Sequence, residues 1–140
     1  MRRLNRVVHA RLSAFEQIKT LIDEFCTMAL LGTEDRHKLT LIVEELFTNT
    51  VTHGHKGDCD EPVLITLEEF GADIVLLYED TAPPFNPLTA GKNTDVNAMV
   101  TARRIGGLGA FLTIQLTHRA EYSFVDGRNR IQLTYCPRRS

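Results

Sequence analysis

Apolar residues at Ile18, Leu21, Ile22, Phe25 and Met28-Ala29 recur at the spacing of a buried helix stripe. Ser13 is the expected N-cap of that helix, with Glu16 completing a capping box, and Gly32 its expected end. A second stripe runs through Leu39, Ile42, Val43, Leu46, Phe47 and Thr50. Thr33 is its expected cap, Glu34 and Asp35 suit the positive end of its dipole, and Gly54 is its expected stop. Ahead of both helices, Leu4 to Leu12 alternate loosely, as an edge strand would.

Further along, the period shortens to two. Val63 to Phe70 and Asp73 to Tyr78 read as strands joined at Gly71. Tyr122, Phe124, Ile131, Leu133 and Tyr135 alternate around Asp126-Gly127, a second hairpin. Between the hairpins, Pro83, Pro84 and Pro87 forbid regular structure. Thr89 to Thr101 reads as a mobile loop, and Leu108 to Leu116 as a short helix. Early helices, one late helical insertion and locally paired strands predict an α/β (α+β) two-layer sandwich. Its helices cover one face of a mixed, mostly antiparallel sheet, and residues 1–140 form a single domain.

Composition narrows the function classes. A net charge of −2 over 140 residues gives no electrostatic reason to expect nucleic acid or an acidic membrane. No apolar run approaches the ~20 residues of a membrane helix, and no signal-peptide core is present. Cys26, Cys59 and Cys136 lack metal or redox spacing, which predicts reduced thiols in the cytoplasm.

Three short stretches carry candidate chemistry. Glu45 and Asn49 are one helical turn apart on the flank of the second stripe, and His53 continues that flank. Such a Glu can polarise an attacking hydroxyl or water, and a carboxamide oxygen suits a Mg²⁺ that keeps most of its waters. The same spacing fits an exposed Glu beside a surface Asn. Asp80 follows the apolar strand Ile74 to Tyr78, where a carboxylate needs a donor such as an exocyclic amine, with Pro83-Pro84-Phe85 as an apolar wall. A turn-starting Asp is the plainer reading. Gly106, Gly107 and Gly109 precede a helix start and have Arg103 and Arg104 beside them, a pattern that suits phosphate or a hinge. A metal site at His53, His55 and Cys59 is a further, weaker reading, without a second ligand pair.

Taken together and in this order, these residues resemble the ATP-binding domain of histidine kinases, type II topoisomerases, mismatch-repair ATPases and a heat-shock chaperone, the Bergerat fold. Within it the chain looks most like the compact anti-sigma-factor serine/threonine kinases. The resemblance implies Glu45 as catalytic base, Asn49 as Mg²⁺ ligand and Asp80 as the reader of adenine. It implies further nucleotide contacts from His53, Ala82, Phe85, Arg104, Gly106, Gly107, Leu108 and Gly109. ATP and Mg²⁺ are the implied cofactors, an anti-anti-sigma protein and a sigma factor the implied partners, and a homodimer the implied assembly. Ala82 stands where that family usually has Gly, and Asn86 replaces its Asp. Arg128-Asn129 after Gly127 replaces a Gly-Thr pair, which removes an adenine-side hydroxyl. These departures leave open a nucleotide-gated binding module that transfers no phosphoryl group.

Overall fold

The structure is a computed structural model and describes residues 2–88 and 117–137. Strand β1 (Arg3–His9) leads into helix α1 (Phe15–Met28) and helix α2 (Thr33–Thr48). Strands β2 (Pro62–Phe70) and β3 (Asp73–Asp80) form the first hairpin, β4 (Arg119–Val125) and β5 (Arg128–Tyr135) the second. The sheet order is β1-β2-β3-β5-β4, and every pairing among the described strands is antiparallel.

Register explains why helices cover only one face. On the outer face, Arg3, Glu68, Val75, Thr134 and Arg119 form one cross-strand row, and Asn5, Thr66, Leu77, Gln132 and Glu121 the next. Those rows are largely polar, with Thr66 alone among them buried. The inner rows are apolar except at the β1 edge: Leu4, Leu67, Leu76, Leu133 and Ala120 in one, with Arg6, Ile65, Tyr78, Ile131 and Tyr122 in the next. Their apolar members join Ile18, Ile22 and Phe25 of α1 and Leu39, Val43 and Phe47 of α2 in one buried cluster. Complete burial of such side chains is worth ~1.5–3 kcal/mol each. The Phe15 and Phe47 rings, 6.1 Å apart, fix the two helices to each other. Tyr135 donates to Asp35 at 2.5 Å, tying the start of α2 to the end of β5.

The expected hairpins stand where alternation put them. Asp126 and Gly127 both have positive φ (53° and 76°), the geometry of a tight type I′ turn. The expected caps do not. Ser13 lies inside a 3₁₀ turn (Leu12–Ala14), and Ala14 precedes α1 without a side-chain cap. Asp58, from far along the chain, instead accepts from the Leu12 N–H that opens the 3₁₀ turn, at 2.9 Å. Helix α1 ends at Met28, short of Gly32, because Leu30 takes the left-handed conformation at φ 59°. Gly32, in extended conformation, is the N-cap of α2, and Thr33 is already helical.

Candidate functional site

A third inner row departs from the apolar pattern. Val8 and Val63 continue it, but β3 and β5 place Asp80 opposite Asn129, both buried. Buried polar groups need partners. Asp80 Oδ1 accepts from the Ala82 N–H at 3.1 Å and from Asn129 Nδ2 at 2.9 Å. Its Oδ2 lies 2.7 Å from the Thr50 hydroxyl.

That hydroxyl has one proton to give, and Tyr78 Oη stands 2.6 Å away. Burial pushes the Tyr78 phenol well above its ordinary range and keeps it a donor. Leu46 O lies 3.0 Å from the Thr50 hydroxyl and 3.2 Å from that of Tyr78. A carboxylate at 2.7 Å needs a donor, so Thr50 O–H gives to Asp80 and Tyr78 O–H to Thr50, with Leu46 O the second acceptor in reach. The expectation that a carboxylate at this strand end must be hydrogen-bonded is met here by the protein's own groups. Protein groups already meet most of its capacity.

The helix carrying Glu45 and Asn49 changes character as it reaches the site. After Thr48 the turn widens into a π-helix over Asn49–Gly54, a feature often found at functional sites. Asn49, Thr50 and His53 of this turn all line one cavity. Gly54 belongs to the same turn, and a Cβ there would stand 2.7 Å from the Ala82 Cβ. The side chain at Ala82, where the resembled family has Gly, thus meets a glycine across the gap. Past the turn, Ala10 O accepts from the Cys59 N–H, and Arg11 pairs with Asp60 at 2.8 Å. These contacts anchor the segment that carries Lys56, itself at φ 60°.

The cavity measures about 470 Å³, within the range of small-molecule sites. Leu46, Tyr78 and Ile131 line it on the core side, Ala82, Pro83, Pro84, Phe85 and Pro87 along the proline segment. Asp80 and Asn129 sit where these meet, with Asn49, His53 and Lys56 adding polar groups. Apolar walls with a few convergent polar groups suit a flat ring bearing a donor and a charged tail.

Glu45 is half-buried and is absent from the described lining, whereas Glu44 on the neighbouring position is exposed. Burial, and then the Glu44 charge, raise the Glu45 carboxyl above its usual range, and His53 partly offsets this. The site thus brings together Asn49, His53, Asp80, Ala82 and Phe85, with Glu45 alongside. Arg104, Gly106, Gly107, Leu108 and Gly109 lie outside the described residues, as do the expected Thr89–Thr101 loop and the Leu108–Leu116 helix.

Sequence reading missed Thr50, Gly54, Lys56 and the role of Asn129. Asn129 was the detectable one. Counting in twos from Tyr135 through Leu133 and Ile131 puts it on the inward face, where a polar residue calls for a reason.

Among the described residues, no group of three or more His, Cys, Asp or Glu is placed to hold a metal ion, the His53, His55 and Cys59 set included. The donor set fits a Mg²⁺ held chiefly by phosphates and water with one carboxamide, Asn49, rather than an all-protein cage. No described helix is long and apolar enough to cross a membrane.

A family model of the histidine kinase-like ATPase domain matches residues 8–135. The match spans most of the chain, and the chain belongs to that family. Membership implies ATP binding. No curated protein matches the chain.

Proposed function

We propose that this chain is an ATP·Mg²⁺-dependent serine/threonine kinase of the anti-sigma type, with a small anti-anti-sigma protein as substrate. The observation that carries this reading is Glu45, a half-buried carboxyl of raised basicity, one turn before Asn49 on the cavity wall. A carboxylate stripped of water is a stronger base, and its protonation is matched to a hydroxyl losing its proton. In this role Glu45 takes the proton of the partner's serine or threonine hydroxyl as that oxygen bonds to the γ-phosphorus. The β–γ bridging bond then breaks and ADP leaves.

Asp80 accepts from the adenine amine, and Pro83, Pro84 and Phe85 shape the wall beside the ring. Asn49 holds Mg²⁺, with His53 beside it, and Lys56 brings positive charge to the phosphates. The metal, when bound, supplies charge neutralisation at the phosphates. The reading extends to Arg104, Gly106, Gly107, Leu108 and Gly109 as phosphate contacts. It further takes residues 1–140 as one domain and the protein as a cytoplasmic homodimer that sequesters a sigma factor once its partner is phosphorylated.

One observation favours a second reading. Glu45 is absent from the described cavity lining, which suits a module that uses nucleotide only to change its binding surface. Labelled ATP with the anti-anti-sigma protein encoded nearest the gene separates the two. Transfer of label that falls ~10²–10⁴-fold in Glu45→Gln, with ADP affinity kept, supports the kinase. Tight nucleotide binding without transfer in the native protein supports the module.

A further inference from the structure

Asn129 has more hydrogen bonds than a rim residue needs. Its Nδ2 lies 2.9 Å from Asp80 Oδ1, 2.9 Å from Ala82 O and 3.1 Å from Pro83 O. Its Oδ1 accepts from the Phe85 N–H at 3.0 Å and the Tyr122 hydroxyl at 2.5 Å. The orientation of the amide follows from these partners. Turning it over would set an oxygen against a carboxylate and two carbonyls, and an NH₂ against the Phe85 N–H.

One buried side chain therefore fastens the end of β3, the start of the proline segment and β4 together. It has no hydrogen-bonding capacity left for a ligand. With Ala82 N–H and Asn129 on Oδ1 and Thr50 on Oδ2, Asp80 retains one acceptor direction, on Oδ2.

Building on the nucleotide-binding reading above, we propose that Asn129 sets the base specificity of the cavity as a positioning residue. By saturating Oδ1 and fixing the 82–85 segment, it leaves Asp80 one acceptor for a ring amine beside an immobilised apolar wall. A ring with an oxo group at that point meets a carboxylate that cannot turn away. A single hydroxyl in place of Asn129 could donate to one of these acceptors at a time, so the amide is the tighter clamp.

The test is the ratio of ADP to IDP affinity, measured by calorimetry at pH 8 and pH 5.5. The two ligands differ at the 6-substituent and in the proton on the adjacent N1, and share the diphosphate, so phosphate titration cancels. Native protein should prefer ADP equally at both pH values. Asn129→Asp should lose that preference at pH 8 by about tenfold or more, because two facing carboxylates repel and a donor is gone. At pH 5.5 a proton shared by the pair restores a donor, and the preference should return.

The other titratable or charged groups facing this point are Tyr78 on β3, Tyr122 on β4 and, across the cavity, His53 and Lys56. They are the same in both proteins, so the native ratio controls for them. Tyr122→Phe, which removes one donor from a half-buried edge position, should lower the ratio about threefold and covers the case in which Asn129→Asp does not fold. Native ADP preference unchanged in both folded variants, or in Tyr122→Phe if Asn129→Asp does not fold, would overturn the role of Asn129 and leave the nucleotide site standing. Failure of native protein to bind ADP would overturn the nucleotide reading and this inference with it.

Discussion

Asp80 shows how little freedom the site leaves a single atom. Its oxygens already accept from Thr50, Ala82 and Asn129. In Asp80→Asn the NH₂ takes the Oδ2 side, away from the Ala82 N–H and Asn129 Nδ2. There Thr50 can turn its proton to Leu46 O, and the acceptor left for a ring amine becomes a donor. Calorimetry should show ADP affinity reduced by more than ~1 kcal/mol, and circular dichroism a fold retained. Unchanged affinity would remove Asp80 from the site. Glu45 offers the opposite case, a carboxyl whose burial and Glu44 neighbour favour the protonated form. A carboxyl raised in the folded state contributes stability that is present below its unfolded pKa and is lost as pH rises through its folded value. Glu45→Gln keeps the neutral shape at every pH. Its melting temperature should exceed the native value at pH 7.5 and approach it at pH 4. A constant difference across that window would contradict the assignment.

Among the elements, what was legible and what was not divide along a physical line. Both hairpins and the helix stripes follow from local periodicity, and the inner sheet face is readable from residues such as Leu76 and Leu133. The start of α1 is not, because no side chain caps it and the 3₁₀ turn ahead of it is held by Asp58, distant in sequence. Nor is the π-turn, since nothing local distinguishes Asn49–Gly54 from an ordinary last helical turn. In the site, Asp80 is legible as a polar residue ending an apolar strand, and Asn49 as one on the flank of a helix stripe, a turn after Glu45. Their coupling through Thr50 and Asn129 depends on packing between elements. The Gly54–Ala82 contact makes that packing testable. Gly54→Ala should destabilise by ~1–3 kcal/mol, as overpacking does, because its Cβ would stand 2.7 Å from Ala82 Cβ. Adding Ala82→Gly should recover most of the loss, a coupling that denaturant titration of the two singles and the double would measure. Simple additivity would show that the clash relaxes elsewhere.

At the scale of the whole molecule, the cavity draws its walls from segments far apart in the chain: the end of α2 and its π-turn, β3 with the proline segment, and β5. The unfolded chain cannot assemble such a site, so a nucleotide that fits it must stabilise the folded state. At one hundred times its dissociation constant the gain is about 2.7 kcal/mol. For a chain of this length that corresponds to a rise in melting temperature of about 9 °C. ATP with Mg²⁺ should produce it, GTP at equal concentration much less, and EDTA should cut the ATP shift if the metal is held partly by protein. Asn49→Ala isolates that last share, because Ala is the better helix former and the buried stripe of α2 is untouched. The variant should still respond to ATP, through Asp80 and the proline wall, but its shift should be the same with Mg²⁺ or EDTA. An Asn49→Ala protein that keeps the full native difference between Mg²⁺ and EDTA would place the metal wholly on the phosphates or on other residues. Asn49 would then be a wall of the cavity and no ligand.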